Sequence, residues 1–316
     1  MKRWGVIVLC LAMVLGATGV GLAKDLTFFV IAHAGPGDPF WAVVQRGVQD
    51  AGKQLGVKAV FQGPASHNVP EQVNMFKAAV AAGAAGIATT ISDPKAWAGP
   101  IADARDQGIA VVAINVKEPP EFKAPIPYMA YIGMDEYEAG KTIARRAAGK
   151  LPAKSRVVVA IHQPGHVGLE ARAKGIKEVL EARGAVVEKL DITEDPTQAI
   201  GILRSYLKAH ADTKAIITLG PLGLIPTIKM AREDGLKGKV LIESFDLDPV
   251  TCDAIRGGFV DSSVDQQQYL QGYMAVVQLY LYAKYGLEPA DYDTARGLVT
   301  AQNVDLVQDL VKAGVR

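Results

Sequence analysis

Leu26-Thr27-Phe28-Phe29-Val30-Ile31-Ala32-His33-Ala34-Gly35-Pro36-Gly37-Asp38-Pro39-Phe40-Trp41 decides the fold of this chain. The apolar run Leu26–Ala32 reads as a buried strand, and a Gly/Pro turn ends it. Residues 40–55 then place Trp41, Val44, Val48, Ala51 and Leu55 on one helical face. A strand, a turn and an amphipathic helix make one unit of a parallel sheet covered on both faces.

The unit recurs. Strands are predicted at Lys58–Gln62, Gly86–Thr90, Ala110–Ile114 and Met129–Gly133, with helices at Pro70–Ala82, Pro94–Asp106 and Tyr137–Lys150 between and after them. Asp93 before Pro94 has the form of a helix cap followed by a first-turn proline. A second set begins at strand Arg156–Ile161 and helix Leu169–Arg183. It runs on through strands Val186–Leu190, Ala215–Leu219, Val240–Ser244 and Asp261–Val264. Helices at Thr197–Ala209, Pro226–Glu233, Pro249–Arg256, Tyr269–Tyr285 and Val304–Ala313 accompany it, with a short strand near Gly297–Thr300. Two sets of roughly five strands predict an α/β protein of two doubly wound parallel-sheet lobes. Open sheets of this kind bind ligands at the carboxyl ends of their strands, so two facing lobes enclose a cleft.

Upstream, Lys2 and Arg3 precede an apolar run, Trp4–Leu15, and small residues lead to Ala23. This is the form of a secretory signal over residues 1–23, with Gly21 and Ala23 at the small positions that cleavage requires. The rival reading is an uncleaved membrane anchor, weakened by Gly16, Gly19 and Gly21. Cys10 is poorly placed for lipidation, since it lies early in the run with Leu9 before it.

Cleavage leaves about 293 residues, enough for two lobes. Losing Lys2 and Arg3 takes the 34 Lys+Arg to 32 against 33 Asp+Glu, a net of −1. Neither nucleic acid nor an anionic membrane surface is an expected partner. Cys252 is then the sole cysteine, so no intrachain disulfide forms. Export also removes the protein from pools of ATP and NAD, and no cofactor is expected.

No catalytic set stands out. Gly35-Pro36-Gly37-Asp38 follows a strand but lacks the third glycine of a dinucleotide loop. There is no Gly-x-Ser-x-Gly elbow and no phosphate loop. His162 and His166 are separated by Pro164 and Gly165, which favours a polar loop over a metal site. Asp246 and Asp248 lack the spacing of a calcium loop. What remains is a set of loops at strand ends: Asp38 to Trp41, Ser92-Asp93, Asn115, His162-Gln163, Phe245-Asp246 and Asp265-Gln266-Gln267. Carboxylates and amides suit hydroxyl groups, and aromatic faces suit the apolar side of a pyranose ring. Each residue also has a plainer reading. Phe40 and Trp41 fit the core of the first helix, Asp38 and Asp93 fit caps, and Asn115 and Asp246 fit turns.

At these residues the chain resembles the periplasmic substrate-binding proteins of the type I, ribose/galactose-binding kind that serve ABC sugar transporters. The likeness runs from about Asp25 to the C-terminus. It is strongest at Gly37-Asp38-Pro39-Phe40-Trp41, Phe245-Asp246 and Val264-Asp265-Gln266-Gln267-Gln268-Tyr269-Leu270-Gln271-Gly272. The resemblance implies that Asp38 holds hydroxyls, that Phe40 and Trp41 form a stacking wall, and that Asn115, Asp246 and Gln266 contact the ligand. It also implies three interlobe crossings, near Gly133–Asp135, Val264–Gln266 and Arg296–Val299. The first lobe is then 25–134 plus 266–297, and the second 135–265 plus 298–316. The implied protein is a periplasmic monomer that closes on a sugar and delivers it unaltered to a membrane permease.

Two departures bear on the ligand. Pentose-binding relatives place an arginine where Glu170 stands, with Arg172 a short turn away, and Asn-Asp where this chain has Gly220-Pro221. His162, Gln163 or Arg172 are the available substitutes, and Asp93 and Glu170 are further candidate contacts. The rival functions are a same-fold receptor for a furanone signal or nucleoside, an exported sugar-processing enzyme, and a lactose-repressor-type regulator. The regulator would need a helix-turn-helix where this chain has its leader.

Overall fold

A computed structural model describes residues 26–316; the expected signal over residues 1–23 lies outside the described residues. The chain runs β1 (Thr27–Ile31), α1 (Pro39–Leu55), β2 (Lys58–Gln62), α2 (Val69–Ala81), β3 (Gly86–Thr89), α3 (Ala98–Asp106), β4 (Ala110–Asn115) and β5 (Tyr131–Gly133). It continues α4 (Glu136–Lys150), β6 (Arg156–Ile161), α5 (Val167–Glu181), β7 (Val186–Asp191), α6 (Pro196–Ala209), β8 (Thr213–Thr218), α7 (Pro221–Glu233), β9 (Leu241–Phe245), α8 (Pro249–Arg256) and β10 (Ser262–Val264). It ends α9 (Gln268–Tyr285), β11 (Tyr292–Asp293), β12 (Leu298–Thr300) and α10 (Val304–Lys312). Among the described residues no helix is long and apolar enough to cross a membrane.

Two six-stranded sheets result, ordered β11-β5-β4-β3-β1-β2 and β12-β10-β9-β8-β6-β7. All pairs in the first are parallel, and in the second only β10 with β12 is antiparallel. Every residue of β3 and β4 is buried, which is why these strands read as unbroken apolar runs rather than alternating ones. The chain passes between sheets after β5, after β10 and between β11 and β12. Thus α9 lies on the first sheet, against α1, although it follows strands of the second.

Glycines let the covering helices approach backbone to backbone. A Cβ on Gly272 of α9 would sit 2.2 Å from the Val44 carbonyl oxygen of α1, and one on Gly47 would sit 2.1 Å from that of Tyr269. The second lobe repeats the device. A Cβ on Gly140 of α4 would lie 2.2 Å from the Arg172 carbonyl oxygen, and one on Gly175 of α5 would lie 2.3 Å from that of Tyr137. The α4–α5 approach runs directly along the Arg172 backbone.

Three expectations need correction. The helix expected at Pro94–Asp106 is broken into a 3-10 turn, Pro94–Ala96, and α3. The break buries Trp97 completely, edge-on to Phe76 at 5.4 Å, and that burial outweighs the lost continuity. The helix expected from Pro226 begins instead at Pro221, which occupies the first turn where a missing N–H costs nothing; Pro226 lies inside it. The helix expected from Leu169 begins at Val167, because the His166 side chain caps it. The strand β11, two residues long, was not anticipated from the sequence pattern.

Candidate functional site

The carboxyl ends of the two sheets face each other, and the loops there carry most of the polar residues singled out above. Asn115 ends β4 and Asp246 follows β9, the third strand from the same end of each sheet. Both are buried and both have left-handed backbone, with φ of 64° and 72°. Asn and Asp tolerate this conformation better than other side-chain-bearing residues, so the turn reading and the site reading hold together. Gln266, fully buried just after the second crossing, joins them. Its Nε2 donates to Asp246 Oδ1, and its Oε1 accepts from Asn115 Nδ2 at 3.5 Å and from Gln271 Nε2 at 2.9 Å.

Arg172 backs this group from α5. It is buried, with Nη2 donating to Glu136 Oε1 at 3.1 Å and Nη1 to the Leu219 carbonyl at 2.6 Å. The guanidinium lies 4.6 Å over the Phe245 ring and 3.9 Å from Asp246 Oδ2. Burial pushes the Asp246 carboxyl up to about 7, against the pull of Arg172 and the Gln266 hydrogen bond. A buried carboxyl of this kind ionises less readily than one in water.

Asp38 caps α1, its Oδ1 accepting from Phe40 N at 2.9 Å. Burial raises it to about 7, the Phe40 amide opposes this, and Glu194 and Asp248 of the other lobe add to it. Phe40 and Trp41 are buried within the first-lobe cluster that includes Val44 and Val48. Trp41 stands edge-on to His33 at 5.0 Å and stacks on Phe61 at 6.2 Å. Its ring therefore supports a histidine at the cleft.

His162, at the end of β6, is buried with an unpartnered Nδ1. Burial, with Arg172 and His67, pushes it down to about 3. A Cβ at Gly220 would stand 3.1 Å from its Cε1 and 3.5 Å from Asp246 Oδ2, so the departure Gly220-Pro221 leaves His162 and Asp246 facing one space.

Two candidates are turned to other work. Asp93 is exposed, and its Oδ1 accepts from Lys95 N at 3.1 Å to cap the 3-10 turn. The Glu170 carboxylate takes the Lys189 ammonium at 2.7 and 2.8 Å and the Gly165 amide at 3.2 Å, away from Asp246 and Gln266.

The sequence pattern does not single out Glu136, the partner of Arg172, or the histidines His33 and His67, and it gives His166 only as part of a polar loop. One signal was available: His33 and His162 follow the equivalent first strands, β1 and β6, of their sheets. The lobes meet beside them, where Val167 N donates to the Ser92 carbonyl at 3.2 Å and His67 N to Glu194 Oε1 at 3.4 Å. Among the described residues no group of three or more His, Cys, Asp or Glu is arranged to hold a metal ion. The chemistry available is hydrogen bonding from both lobes to a polar guest.

Comparison with known proteins agrees with this architecture. The chain is 31% identical over 282 residues to the xylose/arabinose-binding protein XylF of Sulfolobus acidocaldarius, covering 84% of this chain and 69% of that one. It is similar to the crystal structure of an ABC sugar transporter periplasmic sugar-binding protein from Legionella pneumophila, at 33% identity and TM-score 0.81, covering 86% and 100% of the two chains. It is also similar to a carbohydrate transporter from Acidothermus cellulolyticus 11B, solved with myo-inositol, at 28% identity and TM-score 0.83, covering 93% and 100%. The family model of the periplasmic binding protein domain matches residues 28–288. With its two wound sheets and the polar residues gathered between them, the chain belongs to the periplasmic binding protein domain family.

Proposed function

We propose that this protein captures an uncharged monosaccharide or small polyol between its lobes and delivers it unaltered to the permease of an ABC transporter. The observation that carries this reading is the bonded set Asn115, Gln266 and Asp246, drawn from both lobes and a crossing. Asn115 and Gln266 are both donor and acceptor, and Asp246 accepts, which matches the hydroxyl groups of a sugar ring. The named guests of two relatives, xylose or arabinose and myo-inositol, are small neutral polyols, and the same class is assigned here.

The ligand docks on one lobe and gains the contacts of the other only on closure, so it stabilises the closed form by that difference in affinity. Micromolar capture corresponds to about −8 kcal/mol. A few hydrogen bonds to ionised aspartate, at ~1.5–3 kcal/mol each, supply this after the cost of ordering. The protein is exported, loses its leader near Ala23, and works as a monomer without a cofactor or turnover. Asp38 belongs to this site with Asn115, His162, Asp246 and Gln266, while Phe40 and Trp41 form its apolar backing and Arg172 aligns Asp246.

A thermal-shift panel of pentoses, hexoses, inositols and nucleosides tests the proposal, because a ligand bound only by the folded form raises its melting point. A rise with neutral sugars or inositols is expected, together with a smaller radius in solution scattering. A rise with nucleosides alone, or recovery of a chemically altered sugar, would overturn it.

A further inference from the structure

Three histidines from the two lobes crowd one side of the cleft. His33 and His67 belong to the first lobe and His166 to the second. Ring centroids are 4.6 Å apart for His33 and His166, 5.4 Å for His33 and His67, and 5.6 Å for His67 and His166. His33 and His166 are each only 4% exposed.

Each ring is tied to its own lobe by one nitrogen. His33 Nδ1 pairs with Thr90 Oγ1 at 3.0 Å, and His67 Nε2 with Ser92 Oγ at 3.2 Å. His166 Nδ1 accepts from the backbone amides of Gly168 at 3.1 Å and Leu169 at 3.3 Å. That bond settles a tautomer by chemistry. A nitrogen facing two N–H donors carries no proton, so in the neutral ring Nε2 of His166 carries it and is a donor.

The second nitrogen of each ring, His33 Nε2, His67 Nδ1 and His166 Nε2, has no protein partner among the described residues. Unlike His162 Nδ1, none of the three is sealed from solvent. Burial is the first cause that holds His33, His67 and His166 below the usual imidazole range, and Glu194 and Asp93 oppose it only at His67. Neutral imidazoles that are fixed at one nitrogen and free at the other offer rigid single hydrogen bonds. They pay little entropy on binding, because the rings are already held.

We propose that His33, His67 and His166 form an imidazole wall, shared by the two lobes, that reads ligand hydroxyls with one ring nitrogen each. The proposal rests on the capture of a neutral polyol and adds the residues that discriminate among polyols. His166 is its second-lobe member and donates, so it demands a hydroxyl oxygen at one place in the closed cleft. Trp41, edge-on to His33, sets the pose of the first-lobe ring.

The mature chain is titrated by calorimetry with D-xylose, L-arabinose and myo-inositol, then with deoxy analogues of the tightest of the three. His166→Asn keeps a capping oxygen and removes the ring. His33→Asn does the same for the first lobe. Each variant is expected to bind the tightest probe at least tenfold more weakly. His166→Asn should lose less than threefold on the analogue lacking the hydroxyl that His166 reads. In parallel, the histidine ring resonances of the unaltered protein should shift on adding that probe, a readout independent of variant folding. Affinities within twofold of wild type, or unmoved ring resonances, overturn the imidazole wall while leaving sugar capture standing. Loss of wild-type binding on adding EDTA also overturns it, because the rings would then be holding a metal. Wild-type protein that bound none of the probes would refute the sugar reading itself, and the wall with it.

Discussion

Asn115 and Asp246 are counterparts: each closes the third strand of its sheet with left-handed backbone, and Gln266 bonds to both. A small positive-φ turn at the same place in each lobe brings an amide and a carboxyl to one crossover glutamine. The two lobes are thereby tied by a residue that follows one of the crossings between their sheets.

The first prediction concerns the carboxyl. Asp246→Asn keeps the shape and an acceptor for Gln266 but removes the charge. A charge-assisted hydrogen bond to a hydroxyl at ~1.5–3 kcal/mol corresponds to a loss of about 10- to 150-fold in affinity. Calorimetry with the sugar found in the thermal-shift panel measures it, and an unchanged enthalpy and affinity would remove Asp246 from the site.

Trp41 tests the aromatic backing. Once the leader is gone only Trp41 and Trp97 report by fluorescence, and Trp97 is buried against Phe76. Sugar should change the emission of wild-type protein, and Trp41→Phe should abolish the change while keeping the fold. A signal that survives in Trp41→Phe assigns it to Trp97 and places Trp41 in the core alone.

A third prediction concerns pH and stability. Burial raises the Glu243 carboxyl from its usual 4.5 to about 8, with the Ser262 hydroxyl opposing. Unfolded, the group ionises near 4.5, so between 4.5 and about 8 folding takes up a proton. Stability is therefore whole below that window and falls as pH rises through it, by about 1.4 kcal/mol per unit at most. Urea melts of wild type and Glu243→Gln at pH 5 and pH 8 should show wild type losing more stability than the variant. Parallel curves would disprove the assignment.

Helix spacing gives a fourth, with opposite signs at two glycines. Gly140→Ala forces α4 off the Arg172 backbone and should cost about 1–3 kcal/mol, weakening sugar binding as well through Asp246. Gly149→Ala, in the same helix with nothing near its Cβ position, should gain about 0.5–1 kcal/mol and leave binding unchanged. Denaturation midpoints and calorimetry on both variants check the pair.

The buried pair of Arg172 and Glu136 gives a fifth. Arg172→Met leaves Glu136 buried without its cation, which costs about 3–5 kcal/mol. Arg172→Met with Glu136→Gln together should recover much of that loss, as a double-mutant cycle by urea denaturation would record.

Alternation of apolar runs and amphipathic segments was enough to read two wound α/β lobes, since strands covered on both faces are apolar along their whole length, as β4 is. The strand-end positions of Asn115, Asp246 and His162 were legible for the same reason: wound sheets place their loops at one edge. Tertiary structure alone decided the rest. Glu170 and Arg172 lie two residues apart on α5, and helical geometry sends one to Lys189 at the surface and the other under Asp246. His33, His67 and His166 are scattered along the sequence, and they meet only because two sheets face each other. Local pattern governs which segments are strands and helices, because burial of each face is a local matter. Which polar groups share a space depends on how the lobes come together, and no stretch of sequence carries that by itself.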